Sequence, residues 1–145
     1  MVEIKGLNKF YGKFIALNNL DLHIDKGELF GFVGPNGAGK TTTMKILSGL
    51  LKASGGEVYV AGIDAIRQST ELKAMIGYMP DFFGVYDRLR VKEYMAFFAS
   101  IYGLDREETE KKIRQLLELV KLTEKKEAYV DSLSRGMKQR LCLAR

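Results

Sequence analysis

The chain has 145 residues, enough for one ordinary domain with its own core. Hydrophobic residues make up 46% and charged residues 28%, the profile of a soluble globular protein rather than a disordered or membrane-embedded one. The net charge of +5 is scattered, with the dense stretch from Asp105 to Glu127 nearly balanced in sign, so no nucleic-acid partner is expected.

No apolar stretch approaches the eighteen or so residues that a membrane span requires. The longest candidate, Met95 to Leu104, is interrupted by Ser100 and Gly103. The N-terminus, MVEIKGLNKF, lacks the charged-then-apolar order of a secretory signal. The single cysteine, Cys142, cannot form an internal disulfide, which agrees with a reducing compartment and a cytoplasmic location.

The first third of the chain reads as strands. Val2 to Phe10 and Ala16 to Ile24 alternate loosely between apolar and polar residues, as half-buried strands do. Leu29-Phe30-Gly31-Phe32-Val33 is a continuous apolar run bounded by turn signals, which predicts a strand buried on both faces of a parallel sheet. A glycine-rich loop follows, and then a helix over Thr41 to Leu51, with Met44, Leu47 and Leu51 on one face. Ser54-Gly55-Gly56 breaks the chain before a short strand at Glu57 to Val60. A helical stretch near Thr70 to Met75 leads to a strand at Ile76 to Met79.

The pattern changes after Pro80. Val91, Met95, Phe98 and Tyr102 recur at helical spacing, as do Ile113, Leu116, Leu117 and Val120. Asp105, with Glu108 three residues on, is placed to cap the second of these helices. The reading is therefore a β-rich portion over residues 1–85, a helical subdomain over 86–133, and a further segment over 134–145.

Gly34-Pro35-Asn36-Gly37-Ala38-Gly39-Lys40-Thr41 fits G-x-x-x-x-G-K-[ST]. Glycines let the backbone curl and approach phosphates with no Cβ in the way. Successive amide N–H groups then form an anion cradle, and the helix beginning near Lys40 adds its positive end. Lys40 brings a full charge to the β- and γ-phosphates, the Thr41 hydroxyl is placed to ligate Mg²⁺, and Thr42 is placed near the α-phosphate. An apolar run before the loop and a helix after it supply the context the pattern demands.

In its wording, GPNGAGKTT resembles the Walker A loop of ABC transporter ATP-binding subunits. Leu133-Ser134-Arg135-Gly136-Met137-Lys138-Gln139-Arg140 resembles that family's signature sequence, and Ile76-Gly77-Tyr78-Met79-Pro80-Asp81 stands where the family has its Q-loop. The resemblance implies an α/β P-loop NTPase fold with an antiparallel N-terminal portion, a helical subdomain and, in this chain, an incomplete core sheet.

It implies ATP and Mg²⁺ as ligands, held by Asn36, Gly37, Ala38, Gly39, Lys40, Thr41 and Thr42, with Tyr11 stacked on the adenine. Asp81 is a second candidate metal ligand. Ser134, Arg135, Gly136 and Met137 would meet the γ-phosphate held by a second ATP-binding subunit. The other implied partners are transmembrane permease subunits, which places the chain at the inner face of a membrane. There the exposed aromatics Phe82, Phe83 and Tyr86 suit docking.

Three departures stand out. Asp81 replaces the usual Gln, a Pro-Asp variant similar to exporter-type branches of the family. Arg135 and Met137 replace a Gly and a Gln in the signature. The family's Walker B strand, with its metal-holding Asp and catalytic Glu, and its switch His are not within the 145 residues, and His23 reads as a strand residue. The expectation is ATP binding with negligible hydrolysis by these residues, hydrolysis coupled to transport in a longer parent, and a sheet edge open to self-association. The alternatives are a soluble ABC ATPase outside transport and a nucleotide-binding module with no catalytic role.

Overall fold

The computed structural model describes residues 1–80 and 88–145. Of the segment expected to dock a membrane partner, Asp81 to Tyr102, the part with Asp81, Phe82, Phe83 and Tyr86 lies outside the described residues. The chain divides into two compact units, Met1–Tyr78 and Met79–Arg145.

The first unit is built on an antiparallel sheet. Strand β1 (Val2–Tyr11) and strand β2 (Phe14–Ile24) form a hairpin closed by a turn at Gly12-Lys13, and β3 (Gly55–Val60) pairs with the other edge of β1. A two-residue strand, β4 (Ile63–Asp64), extends the order to β2-β1-β3-β4. Ile4, Leu7, Leu17 and Val58 are buried; Ile4 and Leu7, three residues apart, are both in the core because the alternation is interrupted between them.

Pairing slips between Ile4 and Phe10, and the Asn8 side chain patches the irregularity. Its Oδ1 accepts from the Asn19 N–H (2.9 Å) while its Nδ2 donates to the Gly6 carbonyl (2.8 Å). Gly56 sits where β3 crosses this slip. Its φ is +93°, and a Cβ there would lie 2.7 Å from the Leu7 Cα and still closer to the Gly6 carbonyl. Only glycine fits.

Helices α1 (Lys40–Leu47) and α2 (Ser69–Met75) cover the sheet, adding Ile46 and Leu72 to the core. Helix α1 stops four residues earlier than the periodicity predicts. The amides of Leu50 and Leu51 turn back to the Lys45 carbonyl, and Gly49 takes a left-handed φ of +65°.

Two expectations are corrected. Leu29–Val33 is not a strand and is not buried: Leu29 is 103% and Val33 98% exposed, and the run's internal contact is an edge-on pairing of Phe30 with Phe32 at 5.3 Å. Ile76–Met79 likewise forms no strand. A strand of a parallel sheet is made by its neighbours, and no described segment pairs with either run.

The second unit is helical. Helices α3 (Val91–Ile101), α4 (Arg106–Leu119) and α5 (Arg135–Ala144) pack Tyr94, Met95, Ile113, Leu117 and Leu141 into one core, with Val130 and Leu133 from the connecting segment. Asp105 caps α4 as expected, its carboxylate accepting from the Glu108 N–H at 2.8 Å. At α3 the exchange is one-sided. The Glu93 carboxylate reaches back to the Arg90 N–H at 2.8 Å. Glu127 closes the surface by bonding Lys92 (2.7 Å) and Arg90 (3.2 Å). No helix among the described residues is long and apolar enough to cross a membrane.

Candidate nucleotide site

The loop from Gly34 to Gly39 leads directly into α1. Gly37 and Gly39 have φ values of +86° and +83°, the left-handed region that glycine enters without strain. Gly39 is required twice over, because a Cβ there would lie 2.5 Å from Leu17 Cδ2 and 2.8 Å from the Ala16 carbonyl on β2. The end of the loop is thus pressed onto the strand that runs back to the hairpin tip. Sequence reasoning gave this glycine a phosphate role and missed the strand beneath it; only the fold brings Ala16 there.

In α1 the Thr43 N–H bonds the Gly39 carbonyl at 2.8 Å, and the Thr43 hydroxyl, buried, bonds the same carbonyl at 3.0 Å. The amides of Lys40 to Thr42 belong to the first turn, whose N–H groups face out of the helix end. Of the three consecutive threonines, Thr43 is structural, Thr41 is exposed and Thr42 is half-buried. Asn36, Gly37 and Ala38 are exposed along the rim. The Lys40 ammonium folds into the loop and donates to the carbonyls of Gly34 and Pro35, each at 2.6 Å. Its charge is therefore held at the centre of the curl.

Tyr11 sits at the hairpin tip, paired across the strands with Phe14, and about half of it (49%) is exposed. Phe14 is two residues from the Ala16 carbonyl that backs Gly39. The Lys9 ammonium lies 5.0 Å from the centroid of the Tyr11 ring.

The residues fit a nucleoside triphosphate with a divalent cation. The loop supplies backbone donors and one ammonium, and the Thr41 hydroxyl is open. No cluster of three His, Cys, Asp or Glu side chains that could hold a metal is found among the described residues. His23, the only histidine, lies on β2 beside Asp25 (3.3 Å), on the sheet and away from the loop.

The signature residues stand at the start of α5. The Ser134 hydroxyl accepts from the Met137 N–H at 3.3 Å as the N-cap. Ser134, Arg135 and Gly136 are exposed, and a Cβ on Gly136 would meet no atom within 4 Å, so internal packing does not require a glycine there. Met137 is half-buried and packs on the helical core. Lys138 donates to the Asp131 carbonyl (3.0 Å), fixing the turn before the helix.

An antiparallel sheet, a glycine loop feeding a helix and a separate helical unit define part of a P-loop nucleotide-binding domain. The chain belongs to the ABC transporter family, whose sequence pattern matches residues 17–145. It is 38% identical over 144 residues to the probable multidrug ABC transporter ATP-binding protein YbhF of Escherichia coli (strain K12), covering 99% of this chain and 25% of that protein. It is 35% identical over 141 residues to the linearmycin resistance ATP-binding protein LnrL of Bacillus subtilis (strain 168), covering 97% of this chain and 45% of that one.

Among solved structures it matches the dimeric bacterial ABC transporter cassette MJ0796 with a TM-score of 0.84 and 29% identity, over 99% of this chain and 68% of that one. The same cassette bound to ADP and Pi, as a dimer after hydrolysis, matches at 0.83 and 29%. The chain thus spans a quarter to under half the length of these two curated relatives.

Proposed function

We propose that these residues bind Mg-ATP as part of the ATP-binding subunit of a membrane transporter, and that a longer protein containing them couples ATP hydrolysis to transport. The observation that carries the reading is the Lys40 ammonium held inside the curl of a glycine loop at the start of α1. Phosphate oxygens would replace the Gly34 and Pro35 carbonyls as its partners, setting a full negative charge opposite the ammonium. The amides of Gly37 to Thr42 would cradle the β- and γ-phosphates, with Asn36 and Ala38 on the rim, and Tyr11 would stack on the adenine. A bound Mg²⁺ would be held by the Thr41 hydroxyl and phosphate oxygens, neutralising the triphosphate. The role of Asp81 as a further metal ligand belongs to the same proposal.

Ser134, Arg135 and Gly136 would meet the nucleotide of a second subunit. The exposed glycine with no internal contact to explain it supports a close approach from outside, and MJ0796, the related cassette, is dimeric. Permease subunits at the inner face of a membrane complete the proposed assembly. Hydrolysis by residues 1–145 alone would be negligible.

Calorimetric titration of the folded chain with Mg-ATP, beside Lys40→Ala, tests the proposal. Saturable binding weakened about tenfold or more in the variant is expected from the loss of charge-assisted bonds. Equal affinity in both chains would sink it.

A further inference from the structure

The nucleotide site has a feature that the loop and its helix do not account for. The Lys9 ammonium lies 5.0 Å from the Tyr11 ring centroid, within cation–π reach. It is also anchored, donating to the Lys52 carbonyl at 2.8 Å. Two further bonds tie the same places together: Ser54 N–H to the Asn8 carbonyl (2.9 Å) and Phe10 N–H to the Ser54 hydroxyl (3.0 Å). Residues 52–54 follow the turn that closes on the Lys45 carbonyl of α1. Hydrogen bonds, the short run of chain through residues 50–54 and the cation–π contact together therefore link the phosphate-loop helix to the aromatic ring at the hairpin tip.

We infer that Lys9 is a positioning residue for the base of the bound nucleotide, acting through Tyr11; the inference rests on the reading of Tyr11 as the adenine-stacking ring. A lysine at an exposed strand end ordinarily has many rotamers, and so does an exposed tyrosine. Here the bond to Lys52 fixes the cation, and the cation occupies one face of the ring. One face is left for the purine.

The consequence is twofold. The ring loses less freedom when the base arrives, because part of its ordering is already done. The positive charge also draws π density towards its own side, which lessens the repulsion between the stacked π faces of ring and purine. Lys9 thus touches neither the base nor the phosphates and acts by holding the surface on which the base lands.

The test compares Mg-ATP with magnesium tripolyphosphate, which carries the phosphates and no base, on the whole chain and three single variants: Lys9→Met, Lys9→Arg and Tyr11→Leu. Methionine keeps an unbranched stem and removes the cation. Lys9→Met is expected to weaken ATP about threefold, the scale of an exposed cation–π contact, and to leave tripolyphosphate unchanged. Lys9→Arg restores ATP affinity, and Lys9→Met made on top of Tyr11→Leu has no further effect. Equal weakening for both ligands would show Lys9 to be a general anion attractor and overturn the inference, as would no change for either. Wild-type chain that binds ATP no better than tripolyphosphate, or Tyr11→Leu that binds ATP as tightly as wild type, overturns the stacking reading itself and the inference with it.

Discussion

The two units reach stability by different routes. Met1–Tyr78 is held by strands distant in sequence: Val2 pairs with Ile24 on one side and with Val60 on the other. Its tight places are backbone against backbone, as at Gly56. Met79–Arg145 is held by side chains of three helices interlocking around Tyr94, Leu117 and Leu141, with many contacts close in sequence. A unit of the first kind tolerates little change in backbone shape and folds through long loop closures. A unit of the second kind depends on volume and folds through local steps. The division also matches the chemistry proposed for each. Binding a phosphate by its backbone requires a loop of fixed shape, and the strand-built unit supplies it. Presenting a helix start to a neighbour requires only a well-capped helix, and the helical unit supplies that.

Three substitutions would break or sharpen this contrast. The largest effect is expected from Gly56→Ala. The added methyl meets the Gly6 carbonyl and Leu7 Cα, and the residue must also hold φ of +93°. Backbone strain and overpacking together cost about 3–4 kcal/mol, read as a shift in the urea midpoint of the purified chain; a loss below 1 kcal/mol would show that the strand unit yields more readily than its geometry says.

Next is Leu117→Ala, which empties a fully buried position in the helical unit. About 3 kcal/mol should be lost through transfer and cavity terms, with no change of backbone. Helical circular dichroism at the start of the denaturation curve should match wild type. A lower starting ellipticity would mean that the unit's helices depend on this one side chain.

The smallest effect concerns the surface network of Glu127 with Lys92 and Arg90. The bond to Lys92 comes first in holding the Glu127 carboxyl below its ordinary value of 4.5; loss of hydration opposes it, and the Lys92 charge and then Arg90 assist. A depressed carboxyl stabilises the folded state above the ordinary value, and that contribution disappears as pH falls through the lowered one. The difference in melting temperature between wild type and Glu127→Gln should therefore be small at pH 7 and vanish on acidification below pH 4.5. A difference that grows on acidification would contradict the assignment.

Much of this was legible in the residues. The hairpin, α2, α3, α4 and the Asp105 cap follow from alternation, helical period and capping, all local signals. The phosphate loop is legible because its pattern is a demand on backbone geometry that few residue types meet. What local signals could not give is pairing. Leu29–Val33 has the composition of a buried strand and lies open, because a run of this kind acquires its structure from neighbours the described chain does not provide. Nor could they give Gly39 against Ala16, or Lys9 tied to Lys52, which depend on residues that meet only in the fold. Met137 illustrates the same limit. Expected to meet a second subunit's nucleotide, it also packs half-buried against the helical core, a contact that local signals did not give.

The open run has a consequence outside the test tube. Chaperones that hold unfolded chains, and the proteases that follow them, select uncharged stretches rich in leucine, valine and phenylalanine that stand clear of a fold. Among the described residues, Leu29–Val33 is such a stretch. Any binder of the open form draws the population towards itself. In a longer protein, a strand laid over this run would take it out of reach of such binders.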